Sequence, residues 1–88
     1  MEPIRLECII PEQNRARFYV LYVSKTLWGS WSLARWWGRI GQDARGVRVD
    51  ECATEEEALR RAAETIDLRM RHKYVVKSSN TSAEREEG

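Results

Sequence analysis

The residues of this sequence that could do chemistry are concentrated between positions 28 and 41, where tryptophans are interleaved with arginines. All four tryptophans lie there, together with Arg35 and Arg39. In a β-strand, side chains alternate between the two faces, which puts Trp37 on the same face as the two arginines. An indole can stack on a base or a sugar while guanidinium groups contact phosphates. The spacing therefore indicates a surface suited to a polyanion with aromatic bases.

The other face of the same segment is uniformly apolar. Its members are Ala34, Trp36, Gly38 and Ile40. Because an apolar strand face normally packs on the core, this face is predicted to lie beneath a helix, with Trp36 buried and Trp37 more exposed. The alternative is that Trp37 is itself a core residue, since adjacent tryptophans often are. The sequence pattern leaves both interpretations of Trp37 open.

Catalytic chemistry finds little support in this sequence. His72 is the only histidine, and it lies next to Arg71 and Lys73 near the predicted end of a helix, where a cation complements the helix dipole. The acidic run 55–57 is explained by the start of that helix. Nucleophile-elbow, P-loop and Rossmann glycine patterns are missing from the sequence. We therefore expect a non-enzymatic protein with no catalytic residues, no cofactor and no small-molecule substrate.

The two cysteines, Cys8 and Cys52, have neither CxxC nor Cys–His spacing. A structural zinc site needs four ligands, which this sequence cannot supply with one histidine. Two alternatives stand for the cysteines: a disulfide, or two buried free thiols as in a cytosolic protein, and composition favours the thiols. We expect no metal site.

The elements that position these residues can be read from hydrophobic periodicity. Strand patterns cover 4–10, 17–24, 31–40 and 47–52, and residues 74–76 are a candidate for a short last strand. Thr54 and Glu57 form a capping-box pattern that begins a helix of about five turns. The sequence therefore predicts an α+β fold: an antiparallel sheet of four to five strands with one long amphipathic helix packed across it.

The segment Trp37-Gly38-Arg39-Ile40-Gly41 resembles the signature of the WGR domain family. The strand from Arg17 to Leu21, the helix start Thr54–Ala58 and the closing His72-Lys73-Tyr74 also resemble that family. The family includes a domain of poly(ADP-ribose) polymerases that holds a DNA strand end, with the motif tryptophan stacked on the terminal nucleotide and the motif arginine bridging to neighbouring domains. The resemblance assigns those roles to Trp37 and Arg39.

The sequence also departs from the family pattern. Lys73 stands where a glycine often precedes the tyrosine, and the loop 42–46 lacks the usual glycine-rich form. The zinc fingers, regulatory helices and NAD-binding transferase domain of the polymerases have no counterpart among these 88 residues, so we expect no ADP-ribosylation from the resemblance.

Length and net charge limit the number of domains and the origin of any basic surface. With 88 residues and a net charge of +1, the chain has room for one domain, and any basic surface must come from an uneven distribution of charge. We expect a single domain over 1–77, a disordered polar tail over 78–88, no membrane segment and a cytoplasmic location.

The expected function is DNA binding, at ends, nicks or single strands, with RNA as a second nucleic acid and with little sequence readout. Trp37 would stack, Arg35 and Arg39 would contact phosphate, and Lys73 is a further candidate. The competing hypothesis is a protein–protein adaptor that uses the same Trp37–Arg39 face, because tryptophan and arginine are enriched at interface hot spots.

Overall fold

The computed structural model describes residues 2–78, which form a five-stranded antiparallel sheet with one helix packed across it. The strands are β1 (Ile4–Ile10), β2 (Arg15–Lys25), β3 (Trp31–Arg39), β4 (Ala44–Cys52) and β5 (Val75–Ser78), and the helix is α1 (Glu55–Arg71). Their order across the sheet is β4-β3-β2-β1-β5. The predicted α+β fold is confirmed.

Local chemistry explains where the elements begin and end. A short 3-10 helix, Pro11–Gln13, separates β1 from β2, and Asn14 ends it in the left-handed region with φ 52°. The side chain of Thr54 accepts a hydrogen bond from the Glu57 amide at 3.1 Å, and Glu57 in turn accepts from the Ala53 amide. These bonds satisfy amides that the first turn of α1 leaves unpaired, as the sequence predicts.

The core lies between α1 and one face of the sheet. Its helix side chains are Ala58 and Ala62, with Ile66 packed beside them. Its sheet residues come from alternate positions of four strands: Leu6, Cys8, Tyr19, Leu21, Val23, Leu33 and Cys52. Small helix residues let the helix approach the sheet closely, so the larger side chains of the sheet fill the interior. We call this side of the sheet the helix face and the other side the open face.

The register of β3 corrects one prediction. Trp37 pairs with Tyr19 and Leu33 with Val23, so Trp37 lies on the helix face, where it is half-buried against the core. Trp36 lies on the open face, opposite Val20. The prediction that Trp36 packs beneath the helix and Trp37 points away from it is therefore wrong by one position, although Trp37 does share a face with Arg35 and Arg39.

The last strand falls close to the predicted boundary of the domain. It includes Ser78, which pairs with Arg5 of β1, so the sheet reaches the first residue of the segment expected to be a tail. Residues 79–88 of that segment lie outside the described residues.

Candidate nucleic-acid interface

Trp37 forms the floor of a cleft at one end of the helix face. Its indole stacks against its cross-strand partner Tyr19, with ring centroids 5.7 Å apart and planes 12° from parallel. On the other side its cross-strand partner is Gly46, and a Cβ at position 46 would overlap the indole. A glycine in β4 therefore gives the large ring the space to lie along the sheet.

The end of α1 supplies an arginine above this floor. The Arg69 guanidinium lies 4.3 Å from the centre of the Tyr19 ring and 5.9 Å from that of Tyr74. Its Nε is buried without a hydrogen-bond partner in the described part of the chain. Aromatic faces attract a cation without neutralising it, so Arg69 keeps its positive charge at the cleft.

The turn after α1 fixes the position of Tyr74. The Tyr74 amide donates to the Arg69 carbonyl and the Lys73 amide to the Met70 carbonyl, the bond pair of a Schellman motif. Lys73 takes the left-handed conformation of that motif, with φ 74°. The turn directs Tyr74 back onto the core, where its ring meets that of Tyr19 edge-on. It therefore places Arg69 and Tyr74 at the same cleft.

Three further arginines line the cleft: Arg17, Arg39 and Arg45. Arg39 donates to the carbonyl and side-chain oxygens of Asn14 at 3.3 and 3.2 Å, and these neutral acceptors orient the guanidinium while leaving its charge uncompensated. Arg45 is the extra residue of a β-bulge, because Trp37 pairs with Gly46 but Gly38 pairs with Ala44. Bulges re-aim side chains at sheet ends, which accounts for a β4 arginine at this site.

The resulting cleft has a volume of about 670 Å³, within the range of ordinary ligand sites. Among the described residues, those that line it include four arginines, the aromatic residues Tyr19, Trp37 and Tyr74, and no carboxylate. The charge distribution is thus strongly uneven in a chain whose net charge is only +1. Low-dielectric aromatic walls focus such a field toward an anion.

Two cross-strand arginine pairs show how this site differs from the rest of the sheet. Arg35 lies opposite Arg48, and the Asp50 carboxylate bridges both at 2.9 and 3.2 Å. Arg17 lies opposite Arg39, and within residues 2–78 neither forms an ion pair with a carboxylate. Like charges directly opposite each other are destabilising, so the uncompensated pair is the one suited to an external anion.

Of the four site residues predicted from the sequence, two line the cleft and two do not. Trp37 and Arg39 lie together in the cleft. Arg35 lies outside it, with its charge satisfied by Asp50, and Lys73 is exposed beside it without lining it. Sequence reasoning missed five residues of the site: Arg17, Tyr19, Arg45, Arg69 and Tyr74. Arg17, Tyr19 and Tyr74 carried a signal, because the strand from Arg17 to Leu21 and the closing His72-Lys73-Tyr74 resemble the family.

Other candidate chemistry is absent from the described residues. No group of three potential metal ligands comes together within residues 2–78, and Cys8 and Cys52 are both buried as free thiols. His72 caps the end of α1, where its amide donates to the Arg69 carbonyl. No helix in this part of the chain has the length and apolar character needed to cross a membrane.

A basic, aromatic cleft on a small α+β domain defines a binding module, and comparison with known proteins gives its family. The WGR domain family matches residues 2–81. This chain belongs to the WGR domain family, whose domain is a binding domain and not a catalytic one.

A relative of the chain is the uncharacterized protein y4dW of Sinorhizobium fredii, which is 38% identical over 61 residues. The matching region is 67% of this chain and 29% of that protein. This chain therefore corresponds to less than a third of the length of that relative. No solved structure matches the chain.

Proposed function

We propose that this protein is a non-enzymatic nucleic-acid-binding module that holds DNA at ends, nicks or single strands in the cleft around Trp37. The observation that carries the proposal is the set of four arginines around the Trp37–Tyr19 stack, with no carboxylate among the described lining residues. Membership of the WGR family supports nucleic-acid binding in general. The choice of DNA and of strand ends is our inference.

In the cleft, the arginines supply positive charge and Trp37 supplies the stacking surface. Arg17, Arg39 and Arg45 contact phosphates, because guanidinium groups match phosphate geometry and these three have no carboxylate partner within the described chain. Trp37 offers its ring to a base or sugar. Arg69 lies over Tyr19, where it adds charge to the cleft wall and fixes the ring that supports Trp37.

This arrangement favours a strand end over an intact duplex. The cleft contains one stacking ring at its floor and is a pocket of limited volume, so a base must be unpaired or terminal to enter it. The arginines contact the backbone, which carries no sequence information. No element of the described fold presents a recognition helix, since α1 packs across the sheet. We therefore expect little sequence specificity.

The test is a salt titration of binding to nicked, blunt-ended, single-stranded and closed circular DNA of one sequence, with single-stranded RNA as a further probe. We expect binding to substrates with ends or single strands, and the logarithm of affinity should fall with the logarithm of salt at a slope of about −2 to −4. Closed circles should bind more weakly. Failure to bind any DNA at low ionic strength would contradict the proposal. The competing hypothesis, a protein–protein adaptor whose cleft binds an acidic protein segment, would then be favoured.

Matched arginine variants connect this binding to the cleft. Arg45→Gln should make the salt slope shallower by about one unit, the loss of one phosphate contact. Arg60→Gln is the control, because Arg60 is an exposed arginine near the opposite end of α1. Equal effects of the two substitutions would mean that the protein binds through general charge and not through the cleft.

The stacking role of Trp37 needs a substitution that preserves packing, because this ring also contacts the core. Trp37→Leu keeps an apolar side chain and removes the aromatic surface. It should cost about 1–3 kcal/mol of binding free energy while leaving the salt slope unchanged. The melting temperature of the variant shows whether the fold is retained. A changed slope with unchanged affinity would contradict stacking.

A further inference from the structure

The open face of the sheet presents an apolar surface that no part of the chain within residues 2–78 covers. We propose that two copies of this chain associate through this face, with the two sheets packed against each other. The residues that form the surface are Ile9, Tyr22, Ala34, Trp36, Val47 and Val49. They follow from the register, since each lies on the opposite side of its strand from the core residues. This inference is independent of the nucleic-acid proposal.

Several of these side chains are largely exposed to solvent. Val47 and Val49 are 67% and 63% exposed, and Ile9 is 59% exposed. Beneath them, Phe18 and Val20 are each only 6% exposed, so the centre of the face is already shielded by its neighbours. Contiguous apolar patches of several hundred Å² mark interaction surfaces, whereas isolated exposed residues need no explanation.

The charge on the open face favours a neutral partner. Its two charged residues in β1, Arg5 and Glu7, form an ion pair with each other at 2.9 Å. The Arg5 guanidinium also lies 4.8 Å from the centre of the Phe18 ring. Glu51 of β4 also lies on this face, at the end near the β2–β3 turn, where Ser30 donates a hydrogen bond to its carboxylate. The apolar centre of the face therefore carries no charge with which to select a polyanion or a charged protein, and the same centre on a second copy needs no complementary charge.

The size of the face fits a weak dimer. Four strands at a spacing of about 4.8 Å and about eight residues long at 3.3 Å each present roughly 500 Å². Two copies would therefore bury about 1,000 Å², the lower bound for a specific interface. Sheets that pack face to face in this way interdigitate the side chains of their inner faces. This area is that of a transient association and is too small for an obligate dimer.

The β4 edge of the sheet is unfavourable for association by strand pairing. The edge strand β4 contains the bulge at Arg45 and carries Arg48, Asp50 and Glu51. Bulges and charged side chains on an edge strand oppose strand-to-strand pairing between molecules. The open face therefore offers two copies an apolar contact that the β4 edge does not, and a two-fold axis lets each face contact its own equivalent.

The test is sedimentation equilibrium of the full chain from about 1 µM to about 500 µM. The protein should shift from monomer to dimer mass across this range. Val47→Glu and Val49→Glu should each weaken association about tenfold or more, because each places a charge in an apolar interface. Leu27→Glu is the matched control, since Leu27 is 94% exposed in the turn between β2 and β3, and it should leave association unchanged.

Circular dichroism melting of each variant separates loss of association from loss of the fold, and Val49→Ile, which keeps the surface apolar, should still dimerise. A wild-type protein that stays at monomer mass throughout the concentration range would overturn the proposal. So would a dimer that Leu27→Glu weakens as much as Val49→Glu does, because the contact would then lie elsewhere.

Discussion

Gly46 lies directly opposite Trp37, and the indole occupies the space that a side chain at position 46 would fill. The position of the ring thus depends on a residue of the neighbouring strand that has no side chain. The result is the Trp37–Tyr19 stack at the floor of the cleft. The geometry of the candidate site is built by pairing across strands, not by the tryptophan segment alone.

Gly46→Ala should displace the indole and weaken nucleic-acid binding, because a new Cβ cannot share space with the ring. The near-ultraviolet circular dichroism of the stacked rings should change, and affinity should fall. Gly29→Ala is a suitable control, since Gly29 has a φ of +91° with no atom near its missing side chain. It should reduce stability through backbone strain and leave binding intact. Unchanged binding in Gly46→Ala would show that the stacked position of Trp37 is unimportant.

Arg17→Gln should stabilise the fold and weaken binding at the same time. Arg17 lies opposite Arg39 without a carboxylate partner in the described chain, and removing one of two opposed like charges should raise the free energy of unfolding by about 0.2–1 kcal/mol. The gain should shrink as salt is added. Chemical denaturation at two ionic strengths, beside DNA titrations, measures both effects.

Lys25→Gln provides the comparison for Arg17→Gln, because Lys25 is an exposed cation at the other end of the same strand. It should change neither stability nor binding appreciably. If Arg17→Gln lowered stability, the arginine pair would stabilise the fold, and repulsion between Arg17 and Arg39 could not be a cost retained for binding an external anion.

The elements of the fold could be predicted from the sequence because their signals are local. The capping residues Thr54 and Glu57 and the turn at Pro11 lie within a few positions of the boundaries they define. Trp37 and Arg39 were also predictable, because they belong to one contiguous segment. Information within about one turn of chain is enough for such features.

The face assignment of β3 could not be predicted, for a physical reason. The helix face of this strand includes Arg35, and this charged residue makes the face look polar in the sequence. In the fold Arg35 is half-buried, because Asp50 of the next strand forms an ion pair with it. The open face looks like a core because it is apolar, although nothing in the described chain covers it. The period of two gives the alternation of side chains but not which set faces the core.

The rest of the site depends on contacts between distant positions. Arg69 meets Tyr19 across 50 residues of chain, and Arg45 reaches the cleft through a bulge that only the strand register reveals. On a helix with alternating charges, Arg69 cannot be distinguished from a solvated cation by sequence alone. Pairing and docking geometry therefore decide which arginines form the site.

Asp50→Asn should destabilise the sheet, because it leaves Arg35 and Arg48 opposite each other without compensation. The Asp50 and Arg35 side chains are only 19% and 16% exposed, so we expect a loss of about 1–2 kcal/mol, below the cost of breaking a fully buried pair. Asp67→Asn breaks the exposed pair with Arg71 and should cost at most about 0.5 kcal/mol. Urea denaturation compares the two; equal losses would mean that Asp50 has no special role.

Lys73→Gly should raise the stability of the protein, because Lys73 occupies the left-handed position of the Schellman motif with φ 74°. A residue with a Cβ is strained there and glycine is not, so the expected gain is about 1 kcal/mol in the free energy of unfolding. Lys73→Ala separates backbone from side chain: it removes the ammonium group but keeps the Cβ, so stability should hardly change. Chemical denaturation of the three proteins gives the comparison, and DNA titration of Lys73→Ala tests the side chain as a phosphate contact. If Lys73→Gly were no more stable than Lys73→Ala, the left-handed backbone at this turn would carry no measurable strain.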